Sequence, residues 1–292
     1  MDTIQKFLAY NGKIRIICAT TTNLVEEARK LHNLSPVATA ALGRTLTMGA
    51  ILGTTLKEEK DNITIQIKGN GEIHGITVVV DGNLHIKGYV GNPYVITPNK
   101  EDGKLNVGEA VGKEGFLYVI KDLGLKEPYV GMSKLITGEI AEDFANYFYT
   151  SEQKGTAVAL GVLVDKNGVK SSGGYIIQAM PDATEDELFI LEQRIKEAEP
   201  ISSMLNQNWS LEDIAKDITG DKDLVTLQTS LTPKYACNCS KEKMKKALFA
   251  IGKEELKDII EEGQAELVCH FCNKKYQFKK EELEEILKQQ ME

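Results

Sequence analysis

The sequence of 292 residues lacks a long hydrophobic run and lacks an excess of positive charge. No stretch approaches the roughly 18 consecutive apolar residues that a membrane-spanning helix needs, so we predict no membrane segment. The beginning, MDTIQKFLAYNGKIRI, has no basic flank followed by an apolar stretch, which argues against a secretory signal. Lys and Arg total 35 against 43 Asp and Glu, so the net charge is −8 and nucleic acid is a disfavoured partner. These absences predict a cytoplasmic protein in a reducing compartment.

The sequence also lacks the local motifs of common enzyme classes. It contains no G-x-x-x-x-G-K-[ST] phosphate loop, no H-E-x-x-H metal motif and no G-x-S-x-G nucleophile turn. Gly69 and Gly71 begin like a dinucleotide fingerprint, but the third glycine is displaced and a strand follows instead of a helix. His32, His74 and His85 are scattered singly, which is typical of surface or hydrogen-bonded histidines. We therefore predict that the protein is not an enzyme and has no catalytic residue.

Apolar periodicity predicts an α+β N-terminal domain over residues 1–181, with antiparallel sheets and buried helices. We predict helices over residues 22–32, 36–56 and 140–149, and the second should be central because it is apolar on most sides. Period-two alternation and Gly-containing turns predict hairpins with one buried face. The predicted strands cover residues 13–19, 63–67, 76–80, 84–90, 156–164 and 174–180.

Residues 182–232 form a predicted helical connector. A capping box begins at Thr184, and the helix that follows ends at Pro200. Ser210 begins a second short helix. Both helices are amphipathic but too small to bury their own apolar faces, so we expect them to dock on the N-terminal sheet. The single tryptophan, Trp209, lies in the connector and should pack on the first domain.

The last segment, residues 233–292, contains four of the five cysteines as one C-x-C pair and one C-x-x-C pair: Cys237, Cys239, Cys269 and Cys272. Two close pairs that a loop brings together are typical of a tetrahedral Zn²⁺ site, and thiols in a reducing compartment are more often ligands or redox groups than disulfides. We predict one Zn²⁺ per chain; a purely structural zinc site and four free thiols are the alternatives. His270 should be exposed or support the ligands, and Cys18 should be a buried, unreactive thiol.

The charged residues of this module leave two interpretations open. Four thiolates around Zn²⁺ carry net negative charge, which neighbouring lysines would offset while favouring the thiolate form that oxidants attack. These lysines are Lys234, Lys241, Lys243, Lys274 and Lys275. The same lysines equally fit a merely solvated face of a charged module. Because the module is rich in lysine, a zinc ribbon that binds nucleic acid or a partner protein is an alternative for the protein as a whole. Many glutamates share the module, so the sequence contains no basic stripe that would predict nucleic-acid binding.

The cysteine spacing resembles the signature of the redox-regulated chaperone family known as heat-shock protein 33, or 33 kDa chaperonin. In that family a C-x-C pair and a C-terminal C-x-x-C pair flank a spacer like residues 240–268 here. The resemblance extends over most of the chain. The stretches that look like family blocks are AALGR at 40–44, GNG at 69–71, VVVDGNLHIKGYVGNP at 78–93, YFYTSEQKGTAVALGVLVD at 147–165 and GGYIIQAMP at 173–181.

The resemblance implies an ATP-independent holdase that binds unfolding client proteins and prevents their aggregation during oxidative and heat stress. It implies that the reduced, zinc-bound form is inactive. It further implies that oxidation joins near neighbours, Cys237 to Cys239 and Cys269 to Cys272, and releases zinc. Unfolding of the zinc module and the connector would then expose the apolar surface that binds clients. A homodimer in the oxidised form is also implied, whereas the pattern assigns no client-binding residue.

Overall fold

Two sheets form the framework of the first unit of the chain. The structure is a computed structural model that describes residues 1–290, apart from the side chains of residues 228 and 229. It contains two compact units, Met1–Ala236 and Cys237–Glu292. The strands of the described residues are β1 Thr3–Ala9, β2 Ile14–Thr20, β3 Asn62–Lys68, β4 Ile76–Asp81, β5 His85–Val90, β6 Phe116–Asp122, β7 Tyr129–Lys134, β8 Thr156–Asp165, β9 Gly168–Ala179, β10 Val225–Leu231, β11 Lys234–Tyr235, β12 Gln264–Val268 and β13 Lys275–Lys279.

The α-helices connect these strands or cover them. They are α1 Thr22–His32, α2 Pro36–Gly53, α3 Val107–Val111, α4 Ala141–Thr150, α5 Glu185–Glu197, α6 Ile201–Asn206, α7 Leu211–Thr219, α8 Lys241–Phe249, α9 Lys253–Glu261 and α10 Lys280–Gln289. Among the described residues, every helix is too short or too polar to span a lipid bilayer.

One sheet has five strands in the order β10-β1-β2-β9-β8, and the other has six in the order β11-β5-β4-β3-β6-β7. Neighbouring strands are antiparallel, except that β11 runs parallel to β5. The alternation along β3 sets its register, because Ile63, Ile65 and Ile67 face the core while the residues between them face outward. The predicted antiparallel hairpins β3-β4 and β4-β5 are therefore confirmed.

The connection between β3 and β4 differs from the tight turn that Gly69-Asn70-Gly71 suggested. It spans residues 69–75, and two of its three glycines, Gly69 and Gly71, lie against the backbone of α3. A Cβ atom on Gly71 would lie 2.3 Å from the carbonyl oxygen of Ala110. Glycine is required here by this close approach of two backbone segments.

Helix α2 lies at the centre of the first unit, as predicted. It packs against strands of both sheets, and all its residues except Pro36 and Arg44 are buried. Ser35 begins the helix by accepting a hydrogen bond from the amide of Ala38, and Pro36 occupies the first helical position, where no amide donor is needed. The helix ends at Gly53 rather than at the predicted residue 56.

Helices α5, α6 and α7 cover one face of the five-stranded sheet. That face, which we call the apolar platform, consists of Phe7, Ile14, Ile16, Cys18, Tyr175 and Ile177. The helices place Leu191, Met204 and Ile214 on it, together with other apolar side chains, and Trp209 packs at the margin of the same cluster. The predicted docking of the connector helices on the sheet and the predicted packing of Trp209 are thus confirmed. The apolar faces of these helices are buried against the platform, as amphipathic helices too small to form their own core require.

Strand β11 attaches the end of the first unit to the six-stranded sheet. Its backbone pairs with β5, and the hydroxyl of Tyr235 donates a hydrogen bond of 2.9 Å to the carbonyl of Gly88. The same hydroxyl lies 3.1 Å from Nε2 of His32, so this histidine is buried and hydrogen-bonded as predicted. The chain is therefore fixed in the first unit two residues before Cys237.

The second unit is a small α+β module with its own core. A hairpin of β12 and β13 packs with α8, α9 and α10. The core residues are Leu248, Leu256, Ile260, Cys269, Tyr276, Phe278, Leu283 and Ile286. Ser240 caps α8 by accepting a hydrogen bond from the amide of Lys243.

The α+β class predicted from the sequence is confirmed, with antiparallel sheets, buried helices, a helical connector and a C-terminal module. The structure adds strands at residues 3–9, 116–122 and 129–134, and helices α3 and α6. It also shows that residues 182–232 contain strand β10, which pairs with β1. This strand was not predicted, since the whole segment was interpreted as a helical connector. The functional division into residues 1–181, 182–232 and 233–292 stays a prediction.

Candidate metal centre

Two loops of the second unit carry the four cysteines that the sequence singled out. Cys237 and Cys239 precede α8, whose capped start fixes the end of their loop. Cys269 and Cys272 lie in the turn between β12 and β13. In this turn the amide of Cys269 donates to the carbonyl of Lys274, 3.0 Å, and the amide of Cys272 donates to the carbonyl of Cys269, 3.2 Å. These bonds shape a turn that directs two side chains to one place.

The structure brings the four sulfur atoms together, all within 4.8 Å of one another. The Sγ atoms of Cys237 and Cys269 lie 3.7 Å apart, and those of Cys239 and Cys272 lie 3.3 Å apart. Tetrahedral Zn²⁺ with Zn–S bonds of about 2.3 Å requires sulfur atoms about 3.8 Å apart. All four are free thiols. The cluster therefore has the donor type, number and spacing to hold a metal ion of the zinc kind.

Tyr276 supports the cluster from the β13 side. Its hydroxyl donates a hydrogen bond of 3.1 Å to Sγ of Cys239. Burial opposes ionisation of Cys239, but the hydrogen bonds from Tyr276 and the neighbouring thiols prevail and lower the pKa of Cys239 to about 7. Burial raises the pKa of Cys237 and of Cys272. Of these three thiols, only Cys239 is shifted toward the thiolate form.

The lysines of the module divide into two groups. Lys243 donates a hydrogen bond of 2.7 Å to the carbonyl of Asn238, which lies between two of the cysteines. Lys274 lies 5.3 Å from the ring centre of Tyr276. Lys241 and Lys275 instead form ion pairs with glutamates, at 2.6 and 2.8 Å. For Lys241 and Lys275 these ion pairs favour the interpretation as a solvated charged face over a role in offsetting the thiolate charge.

The other candidate residues lie apart from the cluster. His270 is exposed and does not belong to the group of four metal-capable side chains. Cys18 is fully buried in the first unit, and burial raises the pKa of its thiol to about 12, as expected of an unreactive cysteine. His74 is exposed and His85 pairs with Asp81 at 3.3 Å. In residues 1–290 no second cluster of three or more metal-capable side chains occurs.

Two contacts of the site were not predicted from the sequence: the hydrogen bond from Tyr276 to Cys239, and the one from Lys243, predicted only as a neighbouring charge, to the carbonyl of Asn238. The alternation in Lys275-Tyr276-Gln277-Phe278 was a usable signal, because it places the two aromatic residues on the buried face of the hairpin with the cysteine turn. The hydrogen bond from Lys243 follows from its place in the first turn of α8 and has no sequence motif.

Comparison with known proteins finds the same architecture in relatives that match nearly the whole chain. A family model described as "Hsp33 protein" matches residues 2–279. The 33 kDa chaperonin of Clostridium botulinum (strain Eklund 17B / Type B) is 51% identical over 289 residues, which cover 98% of each chain. That of Clostridium perfringens (strain 13 / Type A) is 48% identical over 291 residues, which cover 99% of this chain and 91% of the relative. The crystal structure of a 33 kDa chaperonin from Thermotoga maritima superposes with a TM-score of 0.89 at 39% identity, and the match covers 99% of this chain and 98% of that chain.

The two-sheet fold, the four-thiol cluster and these matches define a molecular chaperone rather than an enzyme. The chain belongs to the Hsp33 family, the 33 kDa chaperonins, because the family model and the relatives cover nearly its whole length. The family resemblance and the non-enzymatic role predicted from the sequence are thereby confirmed.

Proposed function

We propose that the protein is a redox-regulated, ATP-independent holdase whose four-cysteine module controls access to the apolar platform. The observation that carries this proposal is the cover that α5, α6 and α7 form over six apolar side chains, joined along the chain to a cluster of four thiols. In the reduced form the cover is closed and the protein is inactive. After oxidation the cover opens and unfolding proteins bind.

Zn²⁺ is the metal that the site would hold in the reduced form. The donors are four sulfurs, one per residue, from Cys237, Cys239, Cys269 and Cys272. Thiolate sulfur selects zinc over harder cations such as Mg²⁺ and Ca²⁺. One bound ion supplies a cross-link between the loop before α8 and the β12-β13 turn.

Oxidation acts on the sulfurs in a balanced reaction with peroxide. Four thiolates lose four electrons and form two S–S bonds, Cys237–Cys239 and Cys269–Cys272. Two molecules of hydrogen peroxide accept these electrons and four protons, and leave as four molecules of water. Thiolates, and not thiols, attack peroxide, so a site that keeps its sulfurs ionised is reactive. Each disulfide joins neighbours within one loop, so neither replaces the cross-link between the loops.

The second unit has little stability to spare once this cross-link is lost. Its core contains eight buried apolar residues, and one of them is Cys269 itself. Zinc contributes about 10–16 kcal/mol of apparent binding free energy to small zinc modules. Whole domains are commonly stable by only about 5–15 kcal/mol. Loss of the metal therefore unfolds the second unit, and release of β11 and of the connector, residues 182–232, follows.

Release of the connector exposes the platform. Its six side chains are at most 3% exposed in the closed form. Full exposure of one apolar side chain corresponds to about 60–120 Å², so six expose roughly 400–700 Å². A contiguous apolar patch of this size equals or exceeds the largest patch of a typical monomeric protein, about 300–600 Å², and such patches commonly bind other chains. The same exposed surface favours pairing of two oxidised molecules into a homodimer.

We place the protein in the cytoplasm, because thiols stay reduced there until oxidative stress occurs.

The test is light scattering of a client protein that unfolds on mild heating. We compare reduced, zinc-loaded protein with peroxide-treated protein, each without ATP. We expect suppression of client aggregation after oxidation and none before it. Equal failure of both forms would reject the holdase, and equal success of both would reject redox control.

A nucleic-acid-binding zinc ribbon has no support in the structure. Lys241 and Lys275 are neutralised by glutamates, so two of the lysines on which that alternative depended are already paired. Salt-dependent binding of DNA by the reduced protein would be the sign of this activity.

A further inference from the structure

Strand β7 forms a free edge of the six-stranded sheet. It is the last strand in the order and pairs only with β6 among the described residues. The amide of Leu135 donates to the carbonyl of Gly115, 3.0 Å, in continuation of this ladder. In an antiparallel pair every second residue bonds to the partner strand. The backbone groups of Val130 and Met132 therefore point away from β6, out of the sheet.

The end of this edge is already closed by a side chain. Asn146 of α4 donates a hydrogen bond of 3.0 Å to the carbonyl of Lys134. In the alternation along β7, the backbone groups of Lys134, like those of Val130 and Met132, should point away from β6. The bond from Asn146, which reaches the carbonyl of Lys134 from outside the sheet, agrees with this direction. Val130 and Met132 offer two amide donors and two carbonyl acceptors in line.

Apolar side chains surround the same edge. The exposed ones are Leu125 at 73%, Tyr129 at 49%, Val130 at 55%, Met132 at 49% and Ile136 at 53%. Proteins normally protect such an edge with a bulge, a proline or a covering segment. The outer strands of the other sheet, β8 and β10, have register irregularities in their ladders, whereas the β6-β7 ladder is regular. The β7 edge is therefore suited to accept a further strand.

Positive charge marks one end of this surface. Phe116 lies opposite Lys134 on β7 and opposite Lys68 on β3, so two exposed lysines flank one aromatic ring. The ammonium group of Lys68 also lies 5.4 Å from the ring centre of Tyr118. An incoming chain that carries an acidic residue at this end would be complementary in charge.

We propose that the β7 edge, residues 130–134, binds an extended segment of an unfolding client as an added antiparallel strand. Alternate apolar side chains of the client lie against Val130 and Met132, and an acidic side chain lies near Lys134. Main-chain hydrogen bonds are independent of client sequence, as a chaperone for many clients requires. The inference rests on the proposed holdase function and adds a second contact to it.

This edge is not covered by the connector, so it binds weakly in both redox states. Oxidation then adds the platform, and two sites on one molecule hold a client more tightly than either alone. The edge makes the first contact, and the switch determines whether the client is retained.

The experiment measures fluorescence anisotropy of a fluorescein-labelled peptide that alternates valine with threonine and ends in aspartate. The test variant combines Val130→Pro with Met132→Lys. Proline is tolerated on an edge strand whose amide faces solvent, and it removes one outward donor. Ile96→Lys is the matched control, because Ile96 is 86% exposed and lies in the loop that follows β5, outside β6 and β7. A copy of the peptide with alternate amides N-methylated tests the main-chain bonds.

We expect equal binding by reduced and oxidised wild type, a loss of about tenfold or more in the test variant, and no loss in the control. The N-methylated peptide should not bind. Circular dichroism verifies folding, and Met132→Lys alone, with a smaller expected loss, serves if the double variant unfolds. Equal affinity of the test variant and the wild type for the peptide overturns the proposal. A wild-type dimer that becomes a monomer in the test variant also overturns it, because a second copy of the chain would then occupy the edge. The oxidised wild type in the light-scattering assay reports the holdase function separately.

Discussion

Two substitutions on α7 should open the connector without any oxidant. Ile214 and Ile218 are 0% and 1% exposed and lie on the platform. Truncation of one such side chain to alanine costs about 2–5 kcal/mol. The two residues share one cluster, so their costs add incompletely, to about 4–8 kcal/mol. A nine-residue helix has almost no stability of its own, so undocking of α7 is also its unfolding.

The sheets should survive this change. Their central core around α2 is a separate cluster that contains neither isoleucine. We therefore expect reduced, zinc-loaded Ile214→Ala/Ile218→Ala protein to suppress client aggregation in light scattering nearly as well as oxidised wild type. Ile190→Ala is the matched control, because Ile190 lies on α5 but is 48% exposed, and it should stay inactive when reduced.

If hydrogen exchange shows that α7 is open in the double variant while client aggregation proceeds as in buffer, then the platform is not the client-binding surface. If α7 stays protected, the cost worked out from burial is wrong.

Three further changes test other parts of the structure. Tyr235→Phe removes the hydrogen bonds that its hydroxyl makes with His32 and with the backbone of Gly88, and should lower the free energy of unfolding by about 1–3 kcal/mol in urea titrations; an unchanged value would mean that β11 is not an anchor. Cys272→Ser should lose bound zinc by elemental analysis whereas Cys18→Ala keeps one ion per chain, and equal content would contradict the ligand assignment. Burial opposes ionisation of Glu139, but hydrogen bonds from a lysine and an arginine prevail and lower its pKa. The ionised Glu139 carboxylate stabilises the folded protein fully above the ordinary carboxyl pKa of about 4.3, and this contribution is lost as the pH falls through the lower pKa of the folded state. In Glu139→Gln the melting temperature should therefore fall less between neutral and acidic pH than in wild type.

Periodic segments were predictable from the sequence because one face of each is buried. The isoleucines of β3, the apolar surface of α2 and the capping box at Thr184 each carried a local signal that the structure matches. Strands β6 and β7 were missed although β6 alternates in burial, and β7 has no clear pattern because it is an exposed edge. Strand β11 has two residues, too few for any periodicity.

The four cysteines of the site were predictable because their spacing is itself the signal. Their supporting contacts were not, since the bond from Tyr276 to Cys239 depends on the pairing of β12 with β13. The pairing of Lys241 with Glu282 likewise joins helices far apart in the chain, so sequence proximity to the cysteines overstated the role of that lysine.

Hydrogen exchange along α5, α6 and α7 in wild-type protein before and after peroxide treatment tests the central claim most directly. The amides of α7 should be protected in the reduced, zinc-loaded form and should exchange rapidly once the four cysteines are oxidised. The sheet strands β2 and β9 beneath them should stay protected in both forms. Protection of α7 that survives oxidation would contradict the claim that the thiol cluster controls the cover, and an unprotected α7 in the reduced form would contradict the cover itself.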